Sequence, residues 1–334
     1  MHRIGIIGCG WIAPFHLAAL QKLADRAAVA WVADIDSVRA DVVASRYSVR
    51  AISDYRERLD EVDCVHILLP HHLHCQATTV CLEAGKHVLL EKPIATSLED
   101  ADTMIACAER NARTLMVGYP HRYRKCIQMF KEIVTGGSYG RLFMLDAMMD
   151  ESLKGYLTGW ISRKETLGGG VFFSASPHML DVMLWIGGDV RCASVVGTQG
   201  GCSMEGEDTA CSILKFENGV IGVTRHTWAS PSAPIWYTME AVCEQARVRL
   251  TTSPEGDLFR DGPECAWTTR IEAHGAHDEV LLESDEGLDL TAEVEHFLDC
   301  VDTGACPQTD GRVARKMIEL VLTAYADAEQ RGGL

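Results

Sequence analysis

The stretch Ile4-Gly5-Ile6-Ile7-Gly8-Cys9-Gly10-Trp11-Ile12-Ala13, followed by Pro14-Phe15-His16-Leu17-Ala18-Ala19-Leu20, decides the fold. Its opening run is wholly apolar, as expected of a strand buried on both faces. From Pro14 the apolar residues recur at helical spacing, and proline suits a first helical turn, where its missing N–H costs nothing. Between strand and helix lies G-x-G-x-x-A. Gly8 makes the tight turn, Gly10 lets the backbone approach a pyrophosphate, and Ala13 keeps helix and strand close together. The free N–H groups of the helix start, with Trp11 and Ile12 on the turn, are expected to hold a diphosphate.

Working outward, Val29-Ala30-Trp31-Val32-Ala33-Asp34 reads as a second strand that ends in an acid. Its distance from the glycines suits a carboxylate that binds ribose hydroxyls, which predicts NAD rather than NADP because the same charge repels a 2′-phosphate. Asp36 is expected to cap the helix that begins Ser37-Val38-Arg39-Ala40. The pattern then repeats. Cys64 to Leu69 is a strand ending at Pro70-His71-His72-Leu73-His74, and Gln76 to Ala84 is a helix capped by Gly85. His87 to Leu90 is a strand ending at Glu91-Lys92-Pro93, Leu98 to Arg110 a helix, and Thr114 to Val117 a strand ending at Gly118-Tyr119-Pro120. Such alternation predicts a parallel, doubly wound sheet, in which ligands bind outside the carboxyl ends of the strands. Gly8, Asp34, Leu69, Pro70, His71, His74, Glu91 and Lys92 all fall on that rim and are the candidate cofactor residues. Proline biases the residue before it towards extended conformations, so Lys92 is expected at the very tip of its strand. The run His71-His72-Leu73-His74-Cys75 has the residue types of a metal site. Neighbours on one loop rarely converge on one ion, so cofactor-loop packing is the preferred reading and no metal is expected.

Bulk properties narrow the class. A chain of 334 residues can hold two cores. Its net charge of −16 argues against nucleic acid or an anionic membrane as partner. The 13 cysteines are scattered without a Cys-x-x-Cys pair, which reads as reduced, mostly buried thiols and a cytoplasmic setting. No run reaches the length of a membrane span, and Gly8, Gly10 and Pro14 interrupt any signal-peptide core.

Taken together, Gly8-x-Gly10-x-x-Ala13, Asp34, Pro70-x-x-x-His74, Ala84-Gly85-Lys86-His87-Val88 and Glu91-Lys92-Pro93 resemble the Gfo/Idh/MocA family of NAD(P)-dependent oxidoreductases. Gly118-Tyr119-Pro120-His121-Arg122-Tyr123 is similar to the segment that leaves that family's Rossmann domain. Gly168-Gly169-Gly170-Val171 through His178-Met179-Leu180-Asp181 is similar to its glycine run and catalytic histidine. Phe297-Leu298-Asp299 to Thr323-Ala324-Tyr325 resembles its C-terminal helices. The resemblance implies that Lys92 touches the nicotinamide ribose and the substrate hydroxyl and serves with His178 in proton transfer. The family's aspartate four residues before that histidine is Ser174 here, a side chain that cannot hold charge.

Past Tyr123 the pattern changes. A helix from Ile127 to Val134 leads to strands at Arg141 to Leu145, Ala193 to Val196, Ala210 to Phe216, Val220 to Thr227, Tyr237 to Val242 and Ala246 to Leu250. Glu217-Asn218-Gly219-Val220 is a hairpin signal. The expected second domain, 123–334 after a first of 1–122, is therefore α+β with an open, largely antiparallel sheet. One face is partly covered by a helix from Met179 to Trp185. The resemblance implies that the other pairs with a second subunit in a homo-oligomer. His121, Arg122, Trp160, Ser174, His178 and Trp236 are the candidate substrate residues, with core packing an equal reading for the two tryptophans. Arg163 reads as a surface charge, and Glu283-Ser284-Asp285-Glu286 as a solvated acidic loop.

The expected activity is NAD-dependent oxidation of a secondary alcohol of a sugar, cyclitol or related small molecule, with Lys92 and His178 as acid and base. Two other readings stand beside it. One is a glycoside-cleaving enzyme that retains its NAD, the other a ligand-sensing protein on the same fold.

Overall fold

The computed structural model describes residues 1–232 and 236–333. Two compact units divide the chain, Met1–Pro120 with Asp289–Ile318, and His121–Leu288 with Glu319–Leu334.

The first unit strings together β1 (His2–Ile7), α1 (Ala13–Lys22), β2 (Ala27–Ala33), α2 (Ser37–Tyr47), β3 (Arg50–Ile52), β4 (Cys64–Ile67), α3 (His74–Glu83), β5 (His87–Glu91), α4 (Leu98–Arg110) and β6 (Leu115–Gly118). Among the described residues the strands form one parallel six-stranded sheet in the order β3-β2-β1-β4-β5-β6. The order reverses between β1 and β4, which opens the crevice where a doubly wound sheet takes its ligand. Ile4, Ile6, Val65, Ile67, Val88 and Leu90 are buried, as their uninterrupted apolar runs require. Pro14 lies in the first turn of α1, and the Asp36 carboxylate caps α2 by accepting from Arg39 N. The strand β3 carries no signal in the sequence, since three residues beginning with an exposed arginine are too short to show a period.

Residues 289–318 also join this unit, whereas the linear reading put them in the second. The helix Thr291–Thr303 packs on α1. Its stripe of Val294, Phe297 and Leu298 is fully buried. Arg26 closes the join on Asp299 and Asp302 at 2.7 and 2.8 Å. Periodicity reveals that such a helix has an apolar face but not which surface covers it.

The second unit holds α5 (Lys125–Thr135), β7 (Leu142–Asp150), the helix Pro177–Gly187, and strands β8 (Val190–Thr198), β9 (Thr209–Phe216), β10 (Ile221–Thr227), β11 (Tyr237–Cys243), β12 (Arg247–Pro254), β13 (Trp267–His274) and β14 (Asp278–Ser284). Among the described residues these make an eight-stranded sheet in the order β14-β13-β12-β11-β7-β10-β9-β8. Only β7 and β10 run parallel. The expected hairpin joins β9 to β10, with Gly219 at φ +92° and Asn218 Oδ1 accepting from Val220 N. One sheet face is buried through Leu145, Ala147, Met149, Leu214 and Phe216, against helices that contribute Phe130, Met179 and Met183.

The acidic stretch 283–286 is solvated at Glu283 and Asp285, which are exposed, but not at Glu286. Glu283 and Ser284 end β14, and the Glu286 carboxylate accepts from Lys125 N and Cys126 N at 2.6 and 2.8 Å. It satisfies the open start of α5, a helix with no capping side chain of its own. Among the described residues no helix is long and apolar enough to cross a membrane.

Candidate active site

The glycine turn follows directly from backbone geometry. Gly8 sits at φ +104°, and a Cβ there would lie 2.4 Å from Leu68 O, so only glycine fits between the ends of β1 and β4. Gly10 differs. A Cβ at that position meets no protein atom within 4 Å, so nothing in the protein's own packing demands a glycine. An open cradle beside the start of α1 is what a bound pyrophosphate needs, and these residues fit NAD. Ile12 precedes α1, and Trp11 lies half out of the turn with its ring 5.0 Å from Phe15. Asp34, just past β2, ties the turn down, since Oδ2 accepts from Cys9 N and Oδ1 from Asp36 N, both at 2.9 Å. The guanidinium of Arg39 stands 3.5 Å from Oδ2. Burial, reinforced by Asp34, pushes the Cys9 thiol up to about 12, so it acts as a neutral packing group.

The ends of β4 and β5 are joined by His74. Its Nδ1 lies 2.7 Å from Pro93 O and its Nε2 2.8 Å from Leu69 O, so one imidazole bridges the two rim loops. Burial lowers its pKa below the ordinary value, with the two carbonyls acting the other way. Leu69 and Pro70 are half-buried on this rim, His71 is buried with its ring 5.7 Å from that of His74, and His72 points to solvent. Among the described residues no three His, Cys, Asp or Glu side chains converge as a metal site would require.

Lys92 stands half-buried immediately beyond β5, and its peptide bond to Pro93 is cis. The Glu91 carboxylate accepts from Lys92 N at 3.2 Å through Oε2, while Oε1 is 3.1 Å from His16 Nε2. Burial works to raise the Glu91 pKa, but the His16 hydrogen bond and the nearby charges outweigh it and leave the carboxyl below its ordinary value. His16 Nδ1 in turn lies 3.1 Å from His66 Nδ1.

In the second unit, His178 is the second residue of the helix Pro177–Gly187. The ring of His121 meets it edge-on at 5.3 Å, stacks on Tyr237 at 4.9 Å and lies 5.9 Å from Trp236. His121 is thus brought into one cluster with side chains 57 to 116 residues further along the chain. Arg122 makes a bidentate pair with Asp181 at 2.7 Å and lies over Trp185, so its guanidinium is engaged with the scaffold. Burial raises the Asp181 carboxyl above its ordinary range, with Arg122 acting against it. Ser174 is buried at the end of a short turn, Val171–Ser174. Trp160 is half-buried in the turn Gly159–Ser162, and Arg163 is exposed as expected.

Sequence reasoning missed Glu151. This buried carboxylate accepts from Trp228 Nε1 at 2.9 Å and Trp236 Nε1 at 3.3 Å, and faces His226 Nε2 at 3.5 Å. His226 Nδ1 meets Ser176 Oγ at 3.1 Å. It missed the pair of His16 and His66 as well. They lie 50 residues apart on a helix and a strand, and no spacing signal connects them. An acid directly after a strand, like Glu151 after β7, is the one cue that was available.

With this geometry in place, comparison with known proteins is informative. Residues 2–119 match the Gfo/Idh/MocA oxidoreductase family with an NAD-binding Rossmann fold, and residues 127–249 match the Gfo/Idh/MocA C-terminal domain. A 1-carboxy-3-chloro-3,4-dihydroxycyclohexa-1,5-diene dehydrogenase from Comamonas testosteroni is 33% identical over 65% of this chain. The chain spans 56% of that relative's length, little more than half. D-apiose dehydrogenase from Paraburkholderia graminis is 26% identical over 97% of this chain and 87% of its own. The WlbA dehydrogenase from Chromobacterium violaceum, solved with NADH and UDP-GlcNAcA, superimposes with a TM-score of 0.82 at 26% identity, covering 98% of this chain and 94% of that one. The NAD-binding Rossmann domain of this chain makes NAD the cofactor, and the chain belongs to the Gfo/Idh/MocA family of oxidoreductases.

Proposed function

We propose that the protein is an NAD-dependent dehydrogenase that oxidises a secondary alcohol of a sugar, cyclitol or related hydroxylated small molecule, or reduces the corresponding ketone, with Lys92 and His178 as acid and base. The observation that carries this reading is the station of Lys92 at the carboxyl end of β5, on the ligand-binding rim of an NAD-binding sheet. The relatives described above are by name dehydrogenases of a sugar and of a dihydroxylated ring, which supports this substrate class.

Bound NAD supplies the hydride acceptor. The chain's own contribution is to move one proton and stabilise one developing charge. The neutral Lys92 amine takes the hydroxyl proton, and the ammonium that results stabilises the negative charge developing on the substrate oxygen. His178 orients the hydroxyl and shares that proton. Ser174 in place of an acid leaves more of this work to the two bases. Gly8, Gly10, Trp11, Ile12, Asp34, Leu69, Pro70, His71, His74 and Glu91 hold the cofactor. His121, Arg122, Trp160, Ser174 and Trp236 shape the substrate side.

A second copy of the chain is the natural cover for the open face of the mixed sheet, where Val196 and Ile213 are 58% and 61% exposed. A single-copy mass by sedimentation at micromolar concentration would speak against it. The decisive experiment for activity follows reduced-nicotinamide absorbance with NAD and a panel of polyols, aldoses and cyclitols. Lys92→Met is expected to lower turnover by about 10²–10⁴-fold while NADH still binds, the range for a lost acid–base group. Undiminished turnover in this variant would sink the assignment.

A further inference from the structure

Beneath Lys92 runs a buried polar chain that the proton chemistry above leaves unused. It passes from Lys92 N to Glu91 Oε2 at 3.2 Å and from Glu91 Oε1 to His16 Nε2 at 3.1 Å. From His16 Nδ1 it reaches His66 Nδ1, again at 3.1 Å. The side chain of His16 is 1% exposed and that of Glu91 13%. His66 is fully buried, with its ring edge-on to Phe297 at 5.9 Å. Its Nε2 meets no partner among the described residues. We propose that His16 is a positioning residue for Lys92, holding the Glu91 carboxylate against the Lys92 peptide, and that His66 sets the tautomer in which His16 can do so.

Proton counting leads to this assignment. An ionised carboxylate only accepts hydrogen bonds, so His16 must carry its proton on Nε2. In a neutral ring Nδ1 is then a lone pair, and the facing atom, His66 Nδ1, must be the donor. That leaves His66 Nε2 as a bare lone pair in an apolar setting. A buried acceptor without a partner is tolerated better than a buried N–H without one. The alternative puts a second charge on His16 and forces the orphan N–H onto His66 Nε2. Burial, the larger effect, and the neighbouring His16 hold His66 well below the ordinary imidazole pKa, in keeping with a neutral ring. The charged and titratable groups around the chain are Lys92 and His74 beside Glu91, with His66 behind His16. β6 places Gly118 opposite Glu91. Glu91 is thereby a fixed acceptor rather than a proton carrier, and the peptide from which the Lys92 side chain springs is anchored from below.

This inference rests on the reading of Lys92 as the acid–base group, and two arms separate the two claims. In the first, long-range proton–nitrogen NMR of the protein saturated with NADH reads the ring protons directly. The expected result is His16 protonated at Nε2 and His66 at Nδ1. A proton on His66 Nε2, or on both nitrogens of His16, overturns the proposal whatever Lys92 does. In the second arm, His16→Leu and His16→Gln are compared with Lys92→Met on a substrate found in the panel. Leucine cannot donate to Glu91, and its kcat is expected to fall by about tenfold to 10²-fold at unchanged KM for NAD, the scale of a small misplacement of a reacting group. Glutamine can donate through its amide and is expected to recover most of that loss. Wild-type kcat and an unaltered pH profile in a folded His16→Leu overturn the positioning role. Full turnover in Lys92→Met overturns the acid–base reading and leaves the NMR arm standing by itself. Should the leucine variant fail to fold, the glutamine variant and the ring-proton assignment still decide the matter.

Discussion

Glu91 at the end of the parallel sheet and Asp181 inside the helix Pro177–Gly187 are both acids withdrawn from water, yet they are held in different ways. Glu91 is shared between a histidine and a backbone N–H, and these partners keep it below its ordinary pKa despite burial. Asp181 has a bidentate arginine in an otherwise apolar setting, and burial dominates its shift in the opposite direction. The acid on the strand end is held by a histidine ring and a peptide N–H, as suits a fixed acceptor beneath the rim. The acid in the helix is clamped by a group that never loses its charge, as suits a strut. The buried acid of the first unit thus braces the rim backbone, while much of the buried polarity of the second holds aromatic and histidine side chains in position.

The comparison can be broken by substitution. The largest expected effect is in the strut. Asp181→Ala leaves the Arg122 guanidinium buried without its partner and should cost about 3–5 kcal/mol, read by denaturant unfolding. A loss within error would mean that Arg122 finds another acceptor and the clamp is not structural. Next comes the rim backbone. Gly8→Ala forces a side chain into a left-handed conformation and against Leu68 O. It should cost about 1–3 kcal/mol and weaken NADH binding together with stability, measured by melting with and without cofactor.

Smaller again is Glu91→Gln, expected to cost about 1 kcal/mol near neutral pH, on the scale of one hydrogen bond. Its pH dependence carries more information. The folded carboxyl sits below its ordinary value of 4.5, so its contribution is complete above that pH and fades as the pH falls below it. The stability gap between wild type and variant should close on acidification through that range. A gap that widens instead would put the folded pKa on the wrong side. The least effect on the fold is expected from Ile213→Lys on the open sheet face, within about 0.5 kcal/mol for one copy of the chain. Sedimentation of the same variant tests whether that face pairs with a second copy, since a lysine there would split such a pair.

Legibility differs between the units for a physical reason. In a parallel sheet every strand delivers its last residue to the same rim, so Gly8, Asp34, Pro70 and Lys92 could be aligned by reading strand ends alone. Gly10 could be assigned to a ligand, and the structure adds that no protein atom competes for that space. The mixed sheet offers no such rule. His121 meets His178 across 57 residues and Tyr237 across 116, and Glu151 reaches its two indoles across 77 and 85. β13 and β14 went unread, and Glu286 looked solvated because its role as a cap depends on a helix start 160 residues earlier.

What the sequence determined by itself is the class of sheet, the glycine turn, the acid that follows β2 and the station of the lysine, because each depends on local period and on chemistry a few residues away. What only tertiary structure decided is how the buried polar groups are paired, namely Glu91 with His16 and His66, Asp181 with Arg122, and Glu151 with Trp228 and Trp236. A side chain leaving water must find a partner of the right shape and protonation. That partner is set by packing between elements distant in the chain, where sequence spacing carries no information.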